Sequence, residues 1–205
     1  MWMAWRSITQ ALRRQTIARF CWSMVSRPSP SVPTIRSAAG TASGSPSGSV
    51  TVRHAGPADI AAVHKLLHAS WVETYGPIMG ADAEALSLAR HNERVLSAQL
   101  EAGNAFWVAE IGGAVVGHLH AYPKDGMYID RLHTAAPAKG RGVGSALLDA
   151  FFAERPRGER VWLDVLVGNT AAARFYEARG FQHTSTSSAC GGLAGIPAQV
   201  YERTA

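Results

Sequence analysis

The stretch that most constrains this chain begins as Met127-Tyr128-Ile129-Asp130-Arg131-Leu132-His133-Thr134 and soon becomes Pro137-Ala138-Lys139-Gly140-Arg141-Gly142-Val143-Gly144-Ser145-Ala146-Leu147-Leu148. The order reads as a strand, a glycine-rich turn and the opening of a helix. Without Cβ atoms, glycines let backbone amides crowd together, and the start of a helix adds partial positive charge. Such a turn can seat a phosphate. Two familiar phosphate loops fail at single positions. A P-loop closes on Gly-Lys-Ser/Thr, whereas Gly144 is followed by Ser145 and Ala146. A G-x-G-x-x-G fingerprint begun at Gly140 needs glycine at Ser145, and begun at Gly142 it needs glycine at Leu147. What stands there is basic-x-x-Gly-x-Gly, from Lys139 through Gly142 to Gly144. Taken alone, the turn also reads as a tight connection without a ligand.

A second segment follows after room for a helix. Val161-Trp162-Leu163-Asp164-Val165-Leu166-Val167 is rich in strand formers and ends at Gly168-Asn169. Residues 170–179 read as a helix carrying Ala173, Phe175 and Tyr176, with Gly180 just past its end. The string Asn169-x-x-Ala172-x-x-x-Tyr176-Glu177-x-x-Gly180-Phe181, taken with the Lys139 loop, resembles the two signature segments of the GNAT superfamily of acyl-CoA-dependent N-acyltransferases, in the same order. The resemblance covers residues 50–203. Lys139 departs from the Gln or Arg usual at its position; lysine holds a phosphate as a point charge, without arginine's planar fork.

The resemblance implies a mixed α/β fold, a predominantly antiparallel twisted sheet flanked by helices, whose central strands splay apart to admit coenzyme A. It implies transfer of an acetyl group from acetyl-CoA to a primary amine of a small molecule or a protein N-terminus. The alternative is a non-catalytic acyl-CoA-binding or sensory domain; the presence of both Asn169 and Tyr176 speaks for a working site. Acyl transfer needs a held donor, a polarised carbonyl, a neutral amine and a proton for the departing thiolate. The amides of Gly140, Arg141, Gly142, Val143, Gly144 and Ser145 would surround the pyrophosphate, with Lys139 and Arg141 adding charge and Asn169 also on the coenzyme side. By the resemblance, the pantetheine arm would run along Leu132, His133 and Thr134. The Leu132 N–H would meet the developing oxyanion, a donor worth about 3 kcal/mol when well placed.

Tyr176 is the candidate general acid, with a core-packing tyrosine as the alternative. For the base, ribosomal-protein alanine N-acetyltransferases, which this segment resembles, carry a glutamate at the position of Asp164. Asp130 is the rival, since Tyr128, Asp130 and Leu132 alternate onto one strand face, which points to the acceptor in relatives. Either aspartate could instead serve a backbone group or an arginine. The acceptor wall is expected from Trp71, Glu73 and Tyr75 at the end of the first helix, from Tyr128, and from loop 187–197. Glu73 reads equally as a ligand for a cationic amine or as a solvated helix-end acid.

Charge is unevenly placed. Residues 1–48 hold six arginines and no acid, which leaves 14 basic against 15 acidic residues in the remainder. A nucleic-acid-binding domain carries its charge on the folded part, so nucleic acid is not an expected partner. Residues 1–25 are Arg-bearing and residues 26–48 are mostly Ser, Pro, Gly and Ala, the composition of a disordered linker. The leader reads as a mitochondrial transit peptide or as residues upstream of the working start, so the expected location is the cytoplasm, with the mitochondrial matrix as the alternative. No membrane span is apparent, because Arg13, Arg14 and Arg19 interrupt the apolar run. Cys21 and Cys190 form no disulfide framework, and the eight histidines show no ligand pairing, so no metal is expected. The remainder, 49–205, suits one N-acetyltransferase domain, with a homodimer allowed for.

Coarse periodicity places a strand at 50–53 and a helix from Pro57 carrying Ile60, Val63, Leu67 and Trp71, stopped by Gly76-Pro77. It also predicts a second helix over 83–100, a hairpin around Gly112-Gly113, a helix over 143–154, and two terminal strands at 182–186 and 198–203. A Gly- and Ser-rich loop, 187–197, is expected between the last two.

Overall fold

The computed structural model describes residues 48–80 and 82–205. Apart from Gly48, the leader read from the sequence, with its Cys21, lies outside the described residues. Strand β1 (Thr51–His54) leads through a 3-10 turn into helix α1 (Ile60–Met79), followed by α2 (Asp82–Arg90) and α3 (Glu93–Glu101). Then come β2 (Ala105–Ile111), β3 (Ala114–Pro123), β4 (Met127–Thr134), α4 (Val143–Ala153), β5 (Arg160–Leu166), α5 (Thr170–Glu177), β6 (Gln182–Cys190) and β7 (Leu193–Thr204). The seven strands form one sheet in the order β1-β2-β3-β4-β5-β7-β6, antiparallel throughout except for β4 beside β5. This is the expected mixed α/β, mostly antiparallel architecture.

Strand alternation builds a core on each face of the sheet. Phe106 and Val108 of β2 pack with Ile60, Val63, Leu66 and Leu67 of α1 and Leu96 of α3. Their neighbours Trp107, Ala109 and Ile111 turn to the other face, against Val143, Leu147, Leu148 and Phe151 of α4. Helix α4 lies close on β3 because Gly117 has no side chain: a Cβ there would overlap Val143 Cγ1 and stand 3.0 Å from Leu147 Cδ1. The N-terminal strand is fastened by Arg53, which bonds Asp59 at 2.8 Å and also reaches Glu110 on β2.

Three expectations are corrected. Gly76-Pro77 does not stop α1. The helix runs on to Met79, and Gly80, at φ +61, closes it by donating its N–H to the Gly76 carbonyl. Proline there forfeits one helical bond. The last turn is held instead by burial, since Tyr75, Ile78 and Met79 pack on Leu166, Leu193 and Ile196. The single helix expected over 83–100 is two, broken at His91-Asn92, where Asn92 is extended and its side chain caps α3 by accepting from the Val95 N–H at 3.1 Å. The expected loop 187–197 is a hairpin. Strand β6 runs to Cys190, Gly191 and Gly192 turn at φ +55 and +79, and β7 starts at Leu193. The serines mimic a loop only because β6 is an edge strand with its residues from Gln182 to Thr186 exposed.

Two features of β4 position the site. Strands β4 and β5 pair only from Met127 opposite Val161 to Ile129 opposite Leu163, and beyond that they diverge. In addition, β3 pairs His120 with Arg131 but Ala121 with Ile129, so Asp130 is an extra residue bulged out of the ladder. The bulge interrupts the strict alternation expected for Tyr128, Asp130 and Leu132. Among the described residues, no helix is long and apolar enough to cross a membrane.

Candidate active site

A cavity of about 770 Å³ opens where β4 and β5 diverge. At one end lies the glycine turn. Gly140 and Gly142 take φ +76 and +79, and a Cβ on either would point into open space. Val143, Gly144 and Ser145 then open α4, and the first amides of a helix have no carbonyl of their own turn to bond. A second row of donors comes from the β4 edge. The Ala135 N–H reaches back to the Val116 carbonyl, on the β3 side. Successive amides of a strand face opposite edges. The N–H groups of Leu132 and Thr134 therefore face the gap left by β5. Turn and strand edge together form a channel of backbone donors.

The side chains here are arranged less as expected. Lys139 Nζ bonds Glu73 Oε1 at 2.8 Å, a pair about half exposed on both sides. Arg141 does not line the cavity and donates to the Gly48 carbonyl at 3.1 Å. Arg179, which sequence reasoning missed, lies over the Phe175 ring and bonds Ser145 Oγ, bringing a guanidinium to the start of α4. Asn169 lines the cavity and caps α5, its Oδ1 accepting from the Ala172 N–H at 3.2 Å.

The other end is built from side chains of distant elements. Tyr176, from α5, is buried among Phe175 and Phe181 and lines the cavity. Burial first, and then the nearby Tyr75 hydroxyl, pushes the Tyr176 phenol above its ordinary range, so it keeps its proton at any working pH. Burial likewise pushes Tyr75 up to about 12. Asp164 Oδ2 accepts from the Tyr128 hydroxyl and from the Gly191 N–H, each at 3.2 Å. Both donors are neutral.

Asp130 is placed differently. Its carboxylate meets Arg90 at 3.2 Å, Arg131 at 3.1 Å and His120 Nδ1 at 3.2 Å. Burial alone would raise its pKa, but Arg131, the His120 bond and Arg90 hold it well below the carboxylate range. Behind it Arg131 is buried, with one nitrogen on Gln99 Oε1 at 2.9 Å. His133 stacks on Trp71 and holds Ser70 Oγ at 3.0 Å. Burial and then the Arg131 charge lower His133 to about 4, leaving the ring neutral near pH 7.

Of the residues singled out from the sequence, the structure brings all but Glu73 and Arg141 to this one cavity. Glu73 is turned toward Lys139 instead of the cavity wall. Arg90 and Arg179 also line the cavity and were missed, while Cys190 and Gly191 line it from the segment 187–197 expected at the acceptor wall. Gly191 had a legible signal, since Gly-Gly between strand formers marks a hairpin turn. Arg90 had none, because a lone arginine at the end of an amphipathic helix looks solvated. Among the described residues, no three His, Cys, Asp or Glu side chains gather as a metal-binding group.

Residues 60–181 match the family model described as "Acetyltransferase (GNAT) family". The mouse (Mus musculus) protein named "Probable N-acetyltransferase family 8 member 5" is 35% identical over 98 residues. That match covers 43% of this chain and 43% of the mouse protein, less than half of either. Among solved structures, the PaiA N-acetyltransferase of Thermoplasma acidophilum, in complex with coenzyme A, superposes with a TM-score of 0.65 at 17% identity, over 77% of this chain and 99% of that one. A ribosomal-protein-alanine N-acetyltransferase from Brucella melitensis gives a TM-score of 0.55 at 20% identity, over 76% and 99%. These likenesses show the fold.

Proposed function

This chain belongs to the GNAT family of acetyltransferases, and we propose that it moves an acetyl group from acetyl-CoA to a primary amine of a small molecule or a protein N-terminus. One observation carries the reading. A single cavity runs from a glycine turn that opens a helix, along an unpaired strand edge, to a buried phenol and a carboxylate. The coenzyme complex of the Thermoplasma relative supports coenzyme A as the donor's carrier. The residues fit that group, since anionic oxygens suit the positive end of α4 and the open space before Gly140 and Gly142.

Bound acetyl-CoA supplies an activated acyl carbon and a thiolate as leaving group. The chain's own groups have three tasks. Leu132 donates its N–H toward the thioester oxygen, where negative charge develops. Asp164, stabilised only by neutral donors, takes a proton from the amine, directly or through a water. Asp130 suits this less well, because two arginines already compensate its charge. Tyr176 gives its proton to the sulfur. The nitrogen–carbon bond forms as the carbon–sulfur bond breaks, one proton leaving nitrogen and one reaching sulfur.

The test is release of free thiol from acetyl-CoA by the purified chain, with and without a panel of primary amines. Amine-dependent release with a matching acetylated product supports the reading. Tight acetyl-CoA binding with no release for any amine supports the non-catalytic alternative instead.

A further inference from the structure

The acceptor end of the cavity holds two charged groups that the protein leaves incompletely answered, one of each sign. Asp164 has only the Tyr128 hydroxyl and the Gly191 N–H, and among the described residues it forms no ion pair. Arg90 donates to the Gly191 carbonyl at 2.8 Å and to Asp130 at 3.2 Å, and Asp130 is shared with the buried Arg131. Two guanidiniums thus divide one carboxylate. A guanidinium carries five N–H donors, and the bonds of Arg90 use two of them. Both Asp164 and Arg90 line the cavity.

What separates them is one residue. The N–H of Gly191 goes to Asp164 and its carbonyl to Arg90. The anionic and cationic groups are therefore spaced by a single N–Cα–C unit. A ligand that repeats this unit can lie alongside Gly191 with its nitrogen at Asp164 and its carboxylate at Arg90. A simple amine would answer Asp164 and leave the arginine short of a partner, and an anion would do the reverse; a buried charge without a partner is costly. A zwitterion answers both and adds no net charge; its ammonium gives one proton to solvent before the neutral amine attacks and loses the next to Asp164. Beyond these groups the wall is apolar, formed by Tyr75, Met79, Leu193 and Ile196.

We infer that the acceptor is a free α-amino acid with an apolar side chain, its carboxylate held by Arg90 and its amine presented at Asp164. The inference rests on the acetyl-transfer reading and narrows it, because a protein N-terminus has a neutral amide where this site expects a carboxylate.

The test uses three probes with one side chain: L-phenylalanine, L-phenylalaninamide and 2-phenylethylamine, with the matching leucine set in case the ring does not fit. In the parent enzyme the amino acid should be acetylated with a kcat/KM at least about 10²-fold above either analogue, because an analogue without the carboxylate leaves the site's polar groups unpaired. In Arg90→Gln that preference should shrink to within a few-fold, through a higher KM for the amino acid, with the amine's KM little changed. Equal use of amine and amino acid by the parent, or a preference that survives Arg90→Gln, would overturn the inference without touching acetyl transfer. If no probe is acetylated, calorimetry on the chain with coenzyme A separates the two ideas. Amino-acid binding that Arg90→Gln weakens upholds the recognition and sinks the transfer reading; no amino-acid binding by the parent sinks the recognition.

Discussion

The two ends of the cavity are made of different material. At the end proposed for the coenzyme the donors belong to the backbone: the turn at Gly140 and Gly142, the opening of α4 and the free edge of β4. At the proposed acceptor end most of the working groups are side chains, contributed by α1, α2, β4, β5 and α5, with the Gly191 backbone of the β6–β7 turn between two of them. Backbone donors are fixed by local conformation and tolerate changes of side chain. Side-chain donors depend on their own identity and on the packing that aims them. The two ends should therefore respond to opposite kinds of mutation.

Gly142→Val should produce the largest effect. It puts a β-branched residue at φ +79 and a side chain into the space before the turn, and calorimetry should show acetyl-CoA binding lost by more than about 10²-fold. Binding like the parent's would place the coenzyme elsewhere.

Tyr176→Phe comes next, at the side-chain end. Removing one hydroxyl should lower kcat by roughly 10²-fold while acetyl-CoA affinity and the unfolding midpoint barely move. A core-tyrosine role gives the reverse, with lower stability and unchanged turnover, so both are to be measured on one preparation.

A third, intermediate effect is sensitivity to acid. His91 and His133 are lowered to about 2 and about 4, burial being the main cause, and burial also lowers His118 and His120. All four lie near Arg131, whose charge adds to the lowering. Unfolded, they take up protons near pH 6.5, whereas the folded rings stay neutral to lower pH, well below it for His91, His118 and His133. Stability is thus full above about pH 6.5 and falls as pH drops toward 4, because the unfolded chain binds more protons there. Unfolding midpoints from pH 7.5 to 4.5 should decline with more than one proton's slope; a flat profile would show the rings are not held neutral.

The smallest change should follow loss of the Lys139–Glu73 pair, which is half exposed and so worth at most about 1 kcal/mol. Lys139→Ala should weaken acetyl-CoA binding less than about tenfold. Glu73→Gln should leave the acceptor KM unchanged, and a large rise would return Glu73 to the acceptor wall.

The same contrast decides what was legible in the sequence. A site built from backbone comes as a contiguous segment, so the glycine turn and the helix after it could be read residue by residue. The terminus of α1 could not, because the turn around Pro77 is held by Tyr75, Ile78 and Met79 packing on Leu193 and Ile196, which are remote in sequence. Strand β6 hid for a related reason: an exposed edge strand needs no apolar alternation, so its serines read as loop. Arg90 had no local signature, since its meaning comes from Gly191 and Asp130, which lie in other elements. The break at Asn92 was readable as a helix cap, but the apolar spacing on either side favoured one continuous helix.

The short register between β4 and β5 has a mechanical consequence. Four strands lie on one side of it and three on the other, and the backbone ladder between the halves is only three residue pairs long. A molecule filling the gap beyond Ile129 and Leu163 touches both halves and so acts as a rivet between them. Because such a ligand binds the assembled sheet and not the unfolded chain, its concentration sets how much heat the protein withstands. An acyl donor used in this way is fuel and scaffold at once.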